Sequence, residues 1–185
     1  VNEKRLVFSA VDFQSPLADQ AGSGLYAVDA DGSNFLWLIE RDRGYRVVGV
    51  AASRPLPARN RYVEPVRDGS DDVLIQTFVG DSWAHSPDSS IKRLNTRALT
   101  VKPVYAQTVP DGVARWVLDQ NLQPRFAISN DSYGDRNDVI VWHRAADSPT
   151  WKQLDKFDLF NVPVNSAIPV SVDFDGTVYA TSAQN

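Results

Sequence analysis

Cysteine is absent from this chain, and so is methionine. Without cysteine the chain has no disulfide bond, no zinc–thiolate site and no cysteine nucleophile. Methionine is missing even at position 1, which is Val1. We therefore expect a processed or engineered start, or a disordered segment that precedes it.

Long apolar runs and runs of positive charge are also missing. No apolar run approaches the roughly 18 residues that a membrane-spanning helix requires, and no signal peptide is visible. The net charge is −4, and no basic run is longer than two residues, as at Lys92-Arg93. Because proteins that bind nucleic acid or anionic membranes carry a positive footprint, we expect neither as a partner.

The composition that remains is typical of a globular protein, with 43% hydrophobic and 23% charged residues over 185 positions. The dominant hydrophobic period is two, and β-branched and aromatic residues are concentrated in short runs, which predicts strands. Residues 155–162 hold one helical turn or none. The predicted strands are 5–10, 24–29, 35–40, 45–51, 62–66, 73–79, 91–94, 99–107, 114–119, 125–129, 139–144, 151–154, 169–173 and 178–182.

Turn sequences between these runs favour antiparallel hairpins. Residues 29–32 read Asp-Ala-Asp-Gly, residues 173–177 read Asp-Phe-Asp-Gly-Thr, and residues 119–122 give a looser version. Asp at the first position bonds to its own backbone, and Gly or Asn accepts a left-handed conformation at the end. The longer polar segments are predicted to be loops on a rigid scaffold: residues 53–61, 81–90 and 130–137.

An approximate repeat indicates the architecture. Inner-strand candidates near Val73, Trp116 and Val172 recur at a spacing of roughly 45 to 55 residues, which fits four short strands per unit, as in a propeller blade. We therefore predict an all-β, antiparallel, partial β-propeller of about three four-stranded blades and a terminal hairpin.

The predicted blades divide one domain that spans residues 1–185. They lie at about 1–60, 61–110 and 111–160, and the next begins at 165–185. The last hairpin ends at Asn185 with no further strands. We therefore expect a truncated fragment whose open blade edges promote self-association.

Three segments carry a family resemblance. Residues 114–129 read ARWVLDQNLQPRFAIS, an apolar strand, an Asp turn, Pro-Arg and a second apolar strand. Residues 139–154, VIVWHRAADSPTWKQL, and residues 168–182, IPVSVDFDGTVYATS, continue the pattern. They resemble the N-terminal β-propeller of prolyl oligopeptidase-family serine peptidases, above all the bacterial dipeptidyl aminopeptidase and acylaminoacyl peptidase-like group.

This resemblance, which covers about residues 62–182, implies a non-catalytic propeller segment. Such a segment gates or positions peptide substrates in the parent protein, beside a C-terminal α/β-hydrolase domain that holds the family's Ser, Asp and His. No catalytic residue is therefore carried over to this chain, which is not expected to be an enzyme by itself. On family grounds alone, we expect an exported or periplasmic bacterial protein.

Two other functions stay open. The chain is alternatively a stand-alone β-rich module that binds carbohydrate or a protein ligand, or else a small independent hydrolase. No Gly-x-Ser-x-Gly elbow supports the hydrolase, and its only candidate bases are His85 and His143. His85 lies near Ser82, Ser86 and Asp88 in a segment that is typical of a plain polar loop. His143 is expected to be either structural or exposed to solvent.

Candidate metal sites are weak. Residues 29–34, DADGSN, superficially resemble a calcium loop, but the glycine comes too early and no helices flank it. A hairpin turn is favoured there, and residues 71–72 and 135–138 are interpreted in the same way. We expect no metal and no cofactor.

Two side chains are candidate ligand contacts. Trp83 follows Gly80 in a polar loop, whereas Trp37, Trp116 and Trp142 alternate with apolar residues and are expected in the core.

Arg125, the second candidate, follows Pro124 at the start of a strand. We favour an ion pair with Asp119 across the hairpin. Contact with a peptide terminus is the alternative, since some family relatives use propeller arginines in that way.

Overall fold

The computed structural model describes residues 2–9, 24–40, 54–79, 88–105, 109–133 and 136–182. These segments contain strands and no helix, which confirms the all-β prediction. The strands are β1 (Arg5–Phe8), β2 (Leu25–Asp29), β3 (Leu36–Ile39), β4 (Asn60–Pro65), β5 (Asp72–Val79), β6 (Asp88–Asn95), β7 (Val101–Pro103), β8 (Val113–Leu118), β9 (Pro124–Tyr133), β10 (Arg136–His143), β11 (Lys152–Asp158), β12 (Ala167–Val172) and β13 (Val178–Ser182). Accordingly, no helix in the described segments is long and apolar enough to span a membrane.

The described strands form four antiparallel sheets, and in each sheet the spatial order follows the order along the chain. The first sheet is β1-β2-β3, the second β4-β5-β6-β7, the third β8-β9-β10-β11 and the fourth β12-β13. In the third sheet, for example, Val139 of β10 lies between Asn130 of β9 and Phe157 of β11. Consecutive strands pair in this way because short turns return the chain beside itself.

Three hairpins begin with the same turn, as the Asp-containing sequences predict. In each turn the backbone N–H of the Asp donates to the carbonyl four residues later, over 2.8–2.9 Å. The N–H three residues later donates back to the Asp carbonyl. The aspartates are Asp29, Asp119 and Asp173. The fourth residue of each turn has a positive φ: 85° at Gly32, 60° at Leu122 and 86° at Gly176.

The chain divides into two compact units. The first comprises Val1–Thr77 and Ile91–Pro103. Its core joins one face of the first sheet to the second sheet and consists of Leu25, Ala27, Leu38, Ile39, Val73, Ile75 and Leu94. Burying each of the larger side chains contributes about 1.5–3 kcal/mol, so this contact between sheets stabilises the unit substantially.

The second unit comprises Phe78–Ser90 and Val104–Asn185. Its core joins one face of the third sheet to β12 of the fourth and consists of Val117, Phe126, Ile128, Val139, Val141, Phe157 and Val172. The opposite face of the third sheet is buried as well, since Trp116, Ala127 and Ser129 are 7%, 0% and 2% exposed. Both faces of this sheet are therefore covered.

Some sequence predictions are wrong. Within the segment predicted as a loop at 130–137, residues 130–133 belong to β9 and residues 136–137 to β10, and Asp131 pairs with Asp138. The strands extend beyond the apolar core there, so their polar residues gave no period-two signal. For residues 155–162, where one helical turn or none was expected, the outcome is none, since residues 155–158 belong to β11 and residues 159–162 are not helical. The strand predicted at 45–51 lies outside the described residues.

The repeat inferred from Val73, Trp116 and Val172 also needs correction. Val73 lies in β5, the second strand of its sheet, whereas Trp116 and Val172 lie in β8 and β12, the first strands of theirs. The three positions are therefore not equivalent, although each of them is buried.

Candidate functional site

Of the two candidate ligand contacts, only Arg125 can be located. Trp83 lies outside the described residues, as does His85. Arg125 is the second residue of β9, and its Nε lies 3.9 Å from Oδ2 of Asp119, so the ion pair expected across this hairpin is present. At that distance the pair is longer than a hydrogen bond.

Asp119 is held by its own turn. Its Oδ1 accepts the backbone N–H groups of Asn121, at 2.9 Å, and Gln123, at 3.0 Å. Since the carboxylate is fixed in this way, it does not come within hydrogen-bond range of Arg125. Nη1 of Arg125 is buried and has no hydrogen-bond partner in the part of the chain that the structure describes.

Arg144 lies across from Arg125, because its backbone N–H donates to the Arg125 carbonyl over 2.8 Å. Arg144 is only 5% exposed. Its Nε and Nη2 donate to the carbonyl of Pro124, at 3.0 and 2.7 Å, and Nη1 donates to the carbonyl of Ser148 at 3.1 Å. Carbonyl oxygens satisfy the donors but do not neutralise the charge.

Aromatic rings surround the buried guanidinium. Its carbon lies 4.8 Å from the ring centroid of Tyr105 and 5.8 Å from that of Trp151. The ring of Trp151 makes edge contacts with those of Tyr105 and Trp116, at centroid distances of 6.4 and 5.7 Å. The negative π faces stabilise the cation in a place with little water. We call Arg125, Arg144, Tyr105 and Trp151 the arginine–tryptophan site.

The indole nitrogens of this unit differ in their partners. Nε1 of Trp116 donates to Oγ of Ser89, at 2.9 Å, and Nε1 of Trp142 donates to Oγ of Ser129, at 3.1 Å. Nε1 of Trp151, by contrast, is buried without an acceptor among the described residues. Trp151 is part of the arginine–tryptophan site because its ring lies near the guanidinium of Arg144.

His143 lies at the end of β10 with its ring centroid 4.9 Å from that of Phe126. Burial lowers the pKa of His143, and the nearby cations Arg125 and Lys152 lower it further. A triad base requires the opposite environment, a carboxylate that stabilises the imidazolium. These surroundings favour the neutral form of His143, and its ring packs against Phe126, which agrees with the structural role among the alternatives expected.

The segment considered for calcium, residues 29–34, instead meets arginines of the first unit. Asp29 accepts hydrogen bonds from Nη1 of Arg5, at 2.7 Å, and from both Nη atoms of Arg97, at 2.9 and 3.0 Å. Hydrogen bonds from Arg97, Asn34 and Arg5 hold the pKa of Asp29 far below its usual range. The described residues contain no group of three or more His, Asp or Glu side chains suited to a metal.

Residues 71–72, interpreted like that segment, also face cations. Asp71 accepts hydrogen bonds from Nε of Arg97 and, at 2.7 Å, from Nδ2 of Asn2. Asp72 accepts from Nε of Arg93 and, at 2.6 Å, from Nδ2 of Asn95. Together with Arg5 and Asp29, these side chains form a charged network that ties the first sheet to the second within the unit.

The outer face of the first sheet carries an aromatic row, defined as Phe8, Tyr26, Phe35 and Trp37. Neighbouring rings lie 5.7–6.1 Å apart and are nearly parallel from Phe8 to Tyr26, Tyr26 to Phe35 and Tyr26 to Trp37. Phe8 and Phe35 are 41% and 58% exposed. The expectation that Trp37 packs in the core is wrong, because Trp37 pairs with Tyr26 on the face of the sheet opposite to the core residue Ala27.

Comparison of the chain with protein-family models, with curated proteins and with solved structures finds no match. Interpretation of the sites therefore depends on their geometry.

Sequence reasoning found Arg125 but missed Arg144, Tyr105 and Trp151. These residues come from separate strands and loops, and nothing in their local sequence shows that they meet. The one local signal was the order Arg144, Pro149, Trp151, an arginine at a strand end followed by a turn and a tryptophan.

Proposed function

We propose that this chain is a β-propeller segment that gates or positions peptide substrates in a parent serine peptidase. Its partner in this proposal is a C-terminal α/β-hydrolase domain of the same protein, which supplies the catalytic residues. The chain itself contributes binding surface and steric exclusion.

One observation carries this proposal: each sheet is a meander in chain order, and successive sheets pack face to face within each unit. The first and second sheets share one apolar core, and the third and fourth share another. Propeller blades are four-stranded meanders of this kind, stacked through their faces. The third sheet, covered on both faces, fits the environment of an internal blade.

The charged surroundings of His143 agree with a non-catalytic role. A hydrolytic base needs a carboxylate to orient it, whereas the charges that act on His143 are those of Arg125 and Lys152. In this proposal the chemistry belongs to the hydrolase domain.

The parent protein provides the first test. An antibody raised against this chain is used to capture the natural protein. The intact mass of the captured protein is measured by mass spectrometry, and the protein is labelled with a fluorophosphonate probe for serine hydrolases. We expect a mass well above the 20.5 kDa of this chain, together with labelling. An unlabelled natural product of about this mass would overturn the proposal.

Gating is tested separately in the full-length parent enzyme. Leu38→Asp places a charge at a position that is 0% exposed, so it should open the first unit. We expect cleavage of a peptide of about 30 residues to rise relative to cleavage of a dipeptide anilide, because a gate excludes substrates by size. Arg115→Gln, at an exposed position of β8, is the control.

The aromatic row favours a second candidate, a stand-alone module that binds carbohydrate. Exposed rings spaced by about 6 Å offer a stacking platform of the kind that sugars use. Affinity electrophoresis in soluble polysaccharides measures this function. Phe35→Ala should abolish retardation, whereas Tyr179→Ala, which removes an exposed ring from β13, should not. Equal mobility with and without polysaccharide would exclude the module for the sugars tried.

A further inference from the structure

The dipeptide Asp-Gly occurs four times in the chain, at residues 31–32, 68–69, 111–112 and 175–176. In such a dipeptide the glycine nitrogen lies close to the side-chain carboxyl carbon of the aspartate, and the glycine has no side chain that hinders their reaction. Attack by the nitrogen gives a succinimide ring. Water opens this ring either to aspartate or to isoaspartate, in which the main chain runs through the former side-chain carbonyl. Each dipeptide is therefore a candidate modification site.

The four dipeptides share their exposure and their backbone conformation. All four aspartates are exposed. The glycines all have a positive φ: 85° at Gly32, 80° at Gly69, 64° at Gly112 and 86° at Gly176. Access of water and local chain geometry are therefore similar at the four positions, and the difference between them lies in the hydrogen bonds of the reacting groups.

Three of the carboxylates are held by their own turns. Asp31, Asp68 and Asp175 each accept the backbone N–H of the residue two positions later, at 2.9, 3.0 and 2.8 Å. Hydrogen bonds from that residue, a Ser in two turns and a Thr in the third, lower the pKa of all three carboxyls. Since the glycine nitrogen attacks the neutral acid and not the carboxylate, these bonds oppose ring closure.

The carboxyl group of Asp111 lacks such a restraint. Among the described residues, Asp111 takes part in hydrogen bonding through its main-chain carbonyl, which accepts Oγ of Ser129 at 2.7 Å, and none of these residues bonds to its carboxyl oxygens. The carboxyl carbon can therefore turn towards the nitrogen of Gly112 without the loss of a hydrogen bond to the described residues.

The attacking nitrogen of Gly112 also has a distinct partner. Its N–H donates to Oδ1 of Asp88 over 3.1 Å. In two of the other dipeptides, by contrast, the N–H groups of Gly32 and Gly176 donate to main-chain carbonyls, at 2.9 and 3.1 Å. A carboxylate accepts a proton far more readily than a carbonyl does, so Asp88 is placed to act as a base as the ring forms.

We propose that Asp111–Gly112 is the dipeptide at which the folded chain forms isoaspartate. The nitrogen of Gly112 forms a bond to the carboxyl carbon of Asp111, and Asp88 takes the proton from that nitrogen. The proton returns to the departing hydroxyl group, which leaves as water. One water then adds to the ring and breaks the bond between the main-chain carbonyl carbon of Asp111 and the nitrogen of Gly112. The final product has the mass of the original chain.

The modification changes the chain where β8 begins. Isoaspartate adds one carbon to the main chain and converts the carbonyl that accepts Oγ of Ser129 into a free carboxylate. The next carbonyl, that of Gly112, accepts the backbone N–H of Asn130 in β9 over 3.3 Å. The lengthened chain cannot keep both contacts in their present geometry, so the modification should loosen the start of β8 from β9.

The four dipeptides of one sample provide the test. The full chain is incubated for weeks at neutral pH, digested and mapped by electron-transfer mass spectrometry, whose fragments distinguish isoaspartate from aspartate. We expect the isoaspartate fraction at Asp111 to exceed that at each other dipeptide at least about fivefold, since a hydrogen bond must break before attack at the others. An equal or larger fraction at Asp31, Asp68 or Asp175 would overturn the proposal.

The same chain incubated in urea is the control for local sequence. Unfolding removes the hydrogen bonds of all four dipeptides, so we expect the four fractions to become similar. If Asp111 leads by the same factor in urea, the preference comes from neighbouring residues along the chain, and the structural explanation is wrong.

A matched pair of variants tests the base. Asp88→Asn keeps the size of the side chain and removes its basic group, so formation of isoaspartate at Asp111 should slow several-fold while the other dipeptides keep their rates. Asp147→Asn, at another exposed position, should leave all four rates as they are. An unchanged rate at Asp111 in Asp88→Asn would show that Asp88 does not accept the proton.

Discussion

The two compact units each bury an arginine, but they compensate its charge differently. In the first unit, Arg5 is fully buried and bonds to the carboxylate of Asp29 at 2.7 Å and to both oxygens of Thr96 at 2.8 Å. In the second, Arg144 meets only carbonyls and aromatic faces. A cation paired with a carboxylate has a counter-charge beside it, whereas a cation that bonds to neutral carbonyls has none among the described residues. The arginine–tryptophan site of the second unit is of the latter kind.

Loss of the buried arginine of the first unit should have the largest effect. Arg5→Met removes the donors to Asp29 and Thr96 and leaves a carboxylate without one of its partners. We expect the local free energy of opening to fall by about 3 kcal/mol. Amide hydrogen exchange of β2 measures it, with Lys4→Met at the exposed neighbouring position as the control. Unchanged exchange in β2 would contradict the central role of Arg5.

Replacing the arginine of the second unit should cost less. Arg144→Met leaves the carbonyls of Pro124 and Ser148 without donors but leaves no carboxylate unpaired. We therefore expect the local free energy of opening to fall by about 2 kcal/mol. The measurement is amide exchange in β9 and β10. A cost equal to or above that of Arg5→Met would show that the missing counter-charge does not distinguish the two units.

Equivalent turns in the two units should respond with opposite sign. Gly32 has φ of 85°, and open space extends for 4 Å around the point that a Cβ would occupy. Gly32→Ala therefore adds backbone strain without a clash and should cost about 1 kcal/mol. Leu122 occupies the same turn position at φ 60°, and Leu122→Gly should stabilise by about 0.5 kcal/mol. Urea unfolding compares the two variants. Destabilisation by both would mean that side-chain contacts of Leu122 outweigh its backbone strain.

Acid should weaken the first unit through its aspartates. Hydrogen bonds from Ser70 and then Arg93 lower the pKa of Asp68 to about 2, and those from Arg97 lower the pKa of Asp71. Because these folded-state pKa values, like that of Asp29, lie below the ordinary 3.8, their stabilisation is complete above about pH 4 and is lost as the pH falls through them.

The pH profile of β2 amide exchange between pH 2 and 6 measures this loss. Asp29→Asn should flatten it, since the amide does not titrate. The contribution of Arg144 should persist over the same range, because its carbonyl partners do not titrate either. An identical profile for Asp29→Asn and the unchanged protein would remove Asp29 from the acid response.

The local sequence was sufficient to predict features that depend on interactions between residues close along the chain. The strand at Val178–Ser182 and the turns at Asp29, Asp119 and Asp173 follow from alternation and turn chemistry over a few residues. The ion pair of Arg125 with Asp119 was predictable for the same reason, since only a short hairpin turn separates them. Local sequence failed at residues 130–137, where two paired strands carry polar residues beyond the core.

The candidate site was predictable only in part. Arg125 was identified from its position after Pro124. Its place in the candidate site depends on its unpaired nitrogen and on the neighbouring Arg144, and the hydrophobic periodicity of the sequence reveals neither. Trp83 stays a prediction, since it lies outside the described residues. The roles of the chain as a propeller segment and of its parent as a peptidase also stay proposals.

What the sequence alone determined is the all-β class, the antiparallel hairpins and the Asp turns, because period, propensity and turn chemistry act between residues close along the chain. Only the tertiary structure decided which faces and charges meet. Arg5 bonds to Thr96, which lies 91 positions further along the chain. Arg144 follows β10 of the third sheet and packs against Tyr105, which precedes β8, the first strand of that sheet. Such contacts depend on how sheets pack, and many residues far apart contribute to that packing together.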